Sequence, residues 1–89
     1  MDKSVHKINS NISWKLLKDN VVAVNTGNGN YYTFNYTSSL VWQWLDQAKT
    51  EEELVQLLRA EFPENSDSIP RDIKEIINYW LSEKLINKE

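Results

Sequence analysis

Few residues in this chain could carry out covalent chemistry. The 89 residues include no cysteine and a single histidine, His6. A Cys–His pair needs the missing thiol, and a Ser–His–Asp triad needs an imidazole fixed beside its serine within the fold. His6 lies in a polar stretch near the start of the chain, where we expect it to be solvated. The residue inventory therefore predicts a protein that is not an enzyme.

Sequence patterns for ligand binding are equally scarce. The glycine-containing stretch 27–29 is typical of a hairpin turn and lacks the lysine of a phosphate-binding loop, which argues against nucleotide binding. The acidic run Glu51–Glu53 fits the first turn of a helix. The acids Glu61, Glu64 and Asp67 do not have the spacing of a calcium loop. We therefore predict neither a metal site nor a cofactor.

Length and composition describe one small domain. Four tryptophans, four tyrosines and two phenylalanines can build its core without disulfides, because each large aromatic buries roughly 150–250 Å². The absence of cysteine predicts a cytoplasmic protein, and no apolar run approaches the roughly 20 residues that span a membrane. The formal net charge of −3 argues against a surface that neutralises phosphates. We expect neither a nucleic acid nor a membrane as partner.

The first half of the chain has the pattern of three antiparallel strands. Residues 1–11 are polar and aperiodic and predict a flexible tail, which leaves 12–89 as the folded domain. From Ile12 onwards apolar and polar residues alternate, as in a strand with one buried face. The run Val21–Val24 is continuously apolar and suggests a central strand covered on both faces. A turn rich in glycine and asparagine then leads to a return strand, Tyr31–Phe34.

The second half predicts three helices. The first, about residues 37–48, carries an apolar stripe made of Leu40, Val41, Trp44, Leu45 and Ala48. Thr50 and Glu53 form a capping box that starts the second helix, and Pro70 fits the first turn of the third. Helices packed on one face of a small sheet make an α+β fold. We predict its winged-helix-like version, a three-stranded antiparallel sheet followed by three helices.

This order of elements leaves one strand edge without a partner. A strand that ends a meander exposes backbone N–H and C=O groups, and an extended peptide can bind there as an additional strand. The third helix would lie beside this edge and supply the second wall of a groove. The simpler role for the aromatic residues is core packing, to which we assign Trp14, Phe34, Trp44 and Trp80.

Two other functions are open at this point. A winged-helix fold suggests DNA binding as an alternative function, in which the third helix would enter the major groove. That helix is electrically neutral from Pro70 to Lys84 and presents Ile76, Tyr79 and Trp80 where a DNA reader would show Arg, Lys or Asn, so we favour the peptide. A subunit that docks on an enzyme through an apolar surface is the other alternative.

An ordered set of residues runs through most of the chain, about 12–86. It comprises Val21–Val24, Gly29–Asn35, Thr37, Val41, Trp42, Leu45, Asp46, Thr50, Glu53, Leu54, Leu58, Phe62, Asp72, Ile73, Leu81, Leu85 and Ile86. This set resembles the PqqD-like peptide chaperones, also called RiPP recognition elements. Lys84 departs from the family pattern, which often has glycine before the final leucine.

The resemblance implies a specific role. Family members bind the leader segment of a ribosomally made precursor peptide and present the core to a modifying enzyme. The leader lies antiparallel along the third strand and against the third helix. Carried over to this chain, the resemblance implies the peptide-binding residues Tyr31, Tyr32, Thr33, Phe34, Asn35, Arg71, Asp72, Glu75, Ile76 and Tyr79.

The resemblance also implies a pathway and partners. Stand-alone proteins of this length resemble those of lasso-peptide clusters, which hand the precursor to a separate leader protease. We favour that pathway because of the stand-alone size and the aromatic, acidic groove. Similar proteins act with radical enzymes in quinone-cofactor and sactipeptide-like pathways, which is the alternative. The implied partners are a precursor leader peptide and a downstream modifying enzyme or leader protease.

Overall fold

In a computed structural model of the protein, which describes residues 4–88, a small antiparallel sheet packs against helices. The strands of this part are β1 (His6–Ile8), β2 (Ile12–Leu17), β3 (Asn20–Asn25), β4 (Tyr31–Thr33) and β5 (Ile86–Lys88). The α-helices are α1 (Tyr36–Asp46), α2 (Glu51–Glu61) and α3 (Ile69–Ser82), with a short 3-10 helix at Pro63–Asn65. Strands β2, β3 and β4 form one antiparallel sheet, and β1 pairs with β5 in another. The predicted α+β fold, with a three-stranded antiparallel sheet followed by three helices, is confirmed.

The three-stranded sheet has one buried face and one open face. On β3, Val21 and Ala23 are fully buried in the core, whereas Val22 is half-buried and Val24 is exposed. Side chains alternate between the two faces along a strand, so this pattern means that the helices cover one face only. The prediction that this apolar run is covered on both faces is therefore wrong.

An aromatic cluster forms the centre of the core. The ring of Trp42, on α1, is completely buried, and its centroid lies 5.1 Å from those of both Phe34 and Trp80. Trp14 on β2 contacts the same indole edge-on at 6.2 Å. Core positions are thus confirmed for Phe34 and Trp80, whereas Trp14 and Trp44 are only half-buried and pack against the core from outside. The buried indole N–H of Trp42 has no hydrogen-bond partner within residues 4–88, so ring contacts hold it in place.

The packing of α1 explains why Trp42 faces the core in place of Trp44. Ser39 is fully buried, and its hydroxyl accepts a hydrogen bond from the Val21 N–H at 2.8 Å. This small side chain lets α1 approach β3 closely. The buried residues of α1 are Ser39, Val41, Trp42 and Leu45. Ala48, expected on the stripe, lies beyond the helix with a positive φ of 63°. Apolar periodicity misses this face because it counts serine as polar.

The predicted starts of α2 and α3 are confirmed. The Thr50 hydroxyl accepts from the Glu53 backbone N–H, and the Glu53 carboxylate accepts from the Thr50 backbone N–H. The hydrogen bond from the Thr50 backbone lowers the pKa of Glu53 below its ordinary value. Pro70 lies in the first turn of α3, where its missing N–H has no cost.

The N-terminal segment does not match the flexible tail predicted over residues 1–11. Strand β1 pairs with β5, Val5 forms a bridge with Thr50, and the Glu51 backbone N–H donates to the Ser4 carbonyl at 3.0 Å. Ordered structure thus begins before the predicted domain start at residue 12, while residues 1–3 lie outside the described part. A three-residue strand shows too little alternation to be read from sequence, and its partner lies near the other end of the chain.

His6 is buried, which corrects the expectation that it is solvated. Its Nε2 lies 3.6 Å from Oε2 of Glu51, and the Lys74 Nζ donates to the other carboxylate oxygen at 3.0 Å. Glu51 is itself only 7% exposed. A buried carboxylate at the start of α2 therefore joins β1 to α3. Helix capping accounts for Glu53 but not for Glu51.

Replacing this carboxylate should destabilise the fold. We expect Glu51→Ala to lower the free energy of unfolding by about 1–3 kcal/mol, because Lys74 loses its hydrogen-bond acceptor and the buried His6 loses the carboxylate beside it. Urea unfolding followed by circular dichroism measures the loss. Glu52→Ala, one residue further along the same turn, is the matched control, and an equal loss in both variants would contradict this role for Glu51.

Candidate functional site

β4 is an edge strand of the three-stranded sheet, which has the order β2-β3-β4. The hydrogen bonds that flank its pairing with β3 are Asn25 N–H to Asn30 C=O and Phe34 N–H to Val21 C=O. In an antiparallel ladder, residues bonded to the neighbouring strand alternate with residues whose backbone groups point away. Tyr31 and Thr33 occupy the alternate positions. Their N–H and C=O groups therefore point to an edge with which no strand of residues 4–88 pairs.

The side chains of β4 and its flanking residue divide between the two faces of the sheet. Phe34 is buried in the aromatic core, and Tyr32 is half-buried on the same side, facing the helices. Tyr31 and Thr33 lie on the open face, where Tyr31 is 72% exposed. An exposed aromatic beside an unpaired backbone edge is a feature that core packing does not explain.

A groove of about 320 Å³ separates the end of β4 from α3. Its lining residues are Thr33, Phe34, Asn35, Ser38, Glu75, Ile76, Tyr79 and Trp80. The rings of Phe34 and Trp80 are 5.3 Å apart between centroids and are both buried, so they belong to the core as well as to this groove. Tyr79 is half-exposed beside them. The groove thus combines a lining of both apolar and polar side chains with a strand edge that can form hydrogen bonds.

A hydrogen bond between side chains connects β4 to the end of α3. The Tyr32 hydroxyl donates to Glu83 Oε1 at 3.0 Å. Burial of the ring, this hydrogen bond and the negative charge of Glu83 together raise the pKa of Tyr32 above its ordinary value. The hydroxyl, in the protonated form that donates to Glu83, links β4 to the residue that follows α3.

Asn35 ends the strand and begins α1. Its extended backbone places the side-chain oxygen where it accepts from the Ser38 N–H at 2.8 Å. The Phe34 carbonyl is also satisfied internally, because it accepts from Asn20 Nδ2 at 2.8 Å. Both backbone groups of Phe34 and the Asn35 carbonyl are thus bonded within the fold, whereas those of Tyr31 and Thr33 are left for a ligand.

The structure brings most of the predicted site residues together. Those that line the groove are Thr33, Phe34, Asn35, Glu75, Ile76 and Tyr79. Arg71 is exposed and lies 3.8 Å from Glu75, one helical turn further from the groove. Asp72 is half-buried and accepts from the Ser68 hydroxyl at 3.1 Å. Whether these residues bind peptide stays a prediction.

The site predicted from the sequence does not include three residues that the structure places there. Ser38 and Trp80 line the groove, and Glu83 holds Tyr32. The helical periodicity of α3 could have indicated Glu83, because it lies four residues after Tyr79 on the same face. The sequence assigns Trp80 to the core, and its ring serves both the core and the groove.

A second cleft of about 270 Å³ lies between α2 and α3. Its lining residues are Glu51, Glu52, Val55, Gln56, Arg59, Pro70, Ile73 and Lys74. Several of its polar groups are engaged within the protein, including Glu51 with Lys74 and the Arg59 Nε, which donates to the Ser66 carbonyl at 3.1 Å. It offers no unpaired strand edge. We therefore place the functional site at β4, although the cleft between the two helices is the better enclosed of the two.

Residues 4–88 provide neither a metal site nor a membrane-spanning helix. No group of three or more histidines and acids in this range could hold a metal ion. None of the helices formed by these residues has the length and apolar character needed to cross a lipid bilayer.

Comparison with known proteins agrees with the resemblance read from the sequence. Residues 20–86 match the PqqD family, described as coenzyme PQQ synthesis protein D, and this protein belongs to that family. Comparison with curated proteins gave no match.

Two solved structures have the same fold. One is TbiB1 in complex with the TbiA(beta) leader peptide, with a TM-score of 0.85 and 24% identity over 90% of this chain and 93% of that one. The other is lasso peptide synthetase B1 complexed with the leader peptide, with a TM-score of 0.83 and 20% identity over 91% and 95% of the two chains.

The bond between Tyr32 and Glu83 can be tested by titration. We expect Glu83→Gln to lower the pKa of Tyr32 toward its ordinary value, because the neutral amide removes the charge that opposes the phenolate. The stability that the protonated phenol contributes is present below the unfolded-state pKa, which is about 10, and is lost as the pH rises through the folded-state pKa. NMR of ring-labelled tyrosine measures the titration. Glu75→Gln on the same helix is the control, and an equal shift there would contradict the assignment.

Proposed function

We propose that this protein is a non-catalytic peptide chaperone that binds the leader segment of a ribosomally synthesised precursor peptide by strand addition. The observation that carries the proposal is the unpaired edge of β4 beside a groove that has aromatic and apolar side chains in its lining. Membership in the PqqD family supports it, and so do the two solved structures of the same fold, both of which are complexes with leader peptides. An extended peptide that adds to a sheet edge gains backbone hydrogen bonds, and pockets beside the edge supply specificity.

The pairing pattern of β4 sets how a leader would lie. Tyr31 and Thr33 each offer one N–H and one C=O, so two residues give up to four hydrogen bonds. Leader residues opposite Tyr32 and Phe34 face the groove, because directly paired residues point to the same side of a sheet. Leader residues opposite Tyr31 and Thr33 lie on the open face. We adopt the antiparallel direction that the family resemblance implies.

The downstream step is part of the same proposal. We propose that the protein acts in a lasso-peptide pathway and delivers the bound precursor to a separate leader protease or modifying enzyme. The similarity in fold to lasso peptide synthetase B1 supports this choice of pathway. The alternative is a partner of a radical enzyme in quinone-cofactor or sactipeptide-like biosynthesis, which the family description supports.

An NMR titration tests the proposed function directly. Isotope-labelled protein is titrated with a synthetic peptide that has the leader sequence of the precursor encoded beside the gene. Shifts concentrated at residues 31–35 and 71–80 are the expected result. An absence of shifts at saturating peptide would overturn the proposal.

The strand-addition mode predicts a strong effect of proline in β4. We expect Tyr31→Pro to abolish leader binding, because proline removes an outward-pointing N–H that the leader needs. The core should stay folded, since this N–H makes no bond to β3. Leu16→Pro is the matched control. Leu16 lies on β2, the opposite edge strand of the sheet, and its backbone N–H also points away from β3 because hydrogen bonding alternates along the strand. If the folded Tyr31→Pro protein binds the leader with wild-type affinity, binding by strand addition is contradicted.

The groove predicts a smaller effect at Tyr79. We expect Tyr79→Ala to weaken leader binding by about 1–2 kcal/mol, because the half-exposed ring would be covered by the peptide. Isothermal titration calorimetry measures the difference. Asn78→Ala, which removes an exposed side chain one position away on α3, should leave the affinity unchanged. Equal affinities for wild type and Tyr79→Ala would place the peptide away from α3.

A further inference from the structure

Three acidic side chains on or just beyond α3 lie on the side of the groove, and two of them are committed within the protein. Asp72 accepts from the Ser68 hydroxyl at 3.1 Å near the start of the helix. Glu83 accepts from the Tyr32 hydroxyl at 3.0 Å beyond its end. The third, Glu75, lines the middle of the groove. It is the acid whose bonding within the fold is weakest.

The neighbour of Glu75 within the fold is Arg71, and the contact between them is loose. Arg71 Nε lies 3.8 Å from Glu75 Oε1, which is longer than a hydrogen bond. The two side chains are 73% and 70% exposed. Ion pairs between exposed side chains one helical turn apart contribute little, so a ligand can replace this one at low cost. Glu75 is therefore available to a charged partner in the groove.

The contacts between β4 and α3 give the direction along the groove. Tyr32 bonds to Glu83, Phe34 packs on Trp80, and Asn35 lines the groove with Glu75. Moving forward along β4 therefore means moving backward along α3. A leader antiparallel to β4 would run in the same direction as α3. It would pass Glu75 before it reaches Tyr79.

We infer that the leader peptide of this protein carries a lysine or arginine that pairs with Glu75, on the N-terminal side of the residue that fills the groove. This inference rests on the proposed function and names the chemistry that the same site selects. A peptide bound in the groove would cover part of the exposed Glu75 side chain, so a pair formed there is less screened than the exposed Arg71 contact that it displaces. The groove has no basic lining residue that would oppose the cation.

Charge reversal at Glu75 tests the inference. The probe is a fluorescent peptide with the leader sequence encoded beside the gene, and fluorescence anisotropy gives its Kd. We expect Glu75→Lys to weaken binding about 10-fold or more, since like charges then face each other, and Glu75→Gln to weaken it about 3- to 10-fold. Glu61→Lys makes the same change in charge at an exposed position on α2 and should bind as wild type does. Circular dichroism confirms that each variant is folded.

A second peptide and a second variant make the test specific. A leader in which the lysine or arginine is replaced by glutamate should bind weakly to the wild type and recover on Glu75→Lys. Glu61→Lys, by contrast, should bind this altered leader no better than the wild type does, because Glu61 lies on α2, away from the groove. If Glu75→Lys binds the leader as tightly as the wild type does, the charge pairing is overturned but the proposed function is not. A wild type that binds no leader would overturn the proposed function as well.

Discussion

The packing of three rings holds the candidate groove together. Phe34 follows β4, Trp42 belongs to α1 and Trp80 to α3, and each pair of these rings lies 5.1–5.3 Å apart between centroids. Aromatic contacts of this kind add to the large area that each ring buries. Because one ring comes from each element, the distance between the β4 edge and the α3 wall is set in the core. The Trp42 N–H has no hydrogen-bond partner within residues 4–88, so the contacts that position this ring are those of packing.

The backbone and the side chains of β4 contribute differently to the site. Hydrogen bonding alternates along the strand, so Tyr31 and Thr33 present backbone groups outward while Tyr32 and Phe34 anchor the strand to the helices. Backbone bonding of this kind accepts any extended sequence. Under the proposed function, discrimination between peptides would therefore come from the groove wall on α3, where Ile76 and the ring of Tyr79 are apolar and Glu75 is charged.

The sequence predicts the features that depend on residues close together in the chain, and it misses those that depend on contacts between distant residues. The capping box at Thr50 and the order of the three-stranded sheet and three helices are local patterns, and both predictions are confirmed. The pairing of β1 with β5 joins opposite ends of the chain, and the burial of His6 against Glu51 follows from it, so no local pattern indicates either. The exchange of Trp44 for Trp42 in the core depends on how close α1 approaches the sheet. The spacing of apolar residues in the sequence does not indicate how close the helix and the sheet are.

The open face of the sheet offers a physical account of how the proposed delivery of the precursor to an enzyme would work. A peptide that adds to β4 turns every second side chain into the groove and leaves the others on the open face beside Tyr31. The exposed Val24 lies on that same face, directly across from Tyr31 in the strand register. Under the proposed function, a downstream enzyme would contact this protein and half of the leader side chains together, without displacing the half that the groove holds. The proposed strand addition would thus keep the peptide bound while leaving half of its side chains accessible, which a site that enclosed the peptide on all sides would not allow.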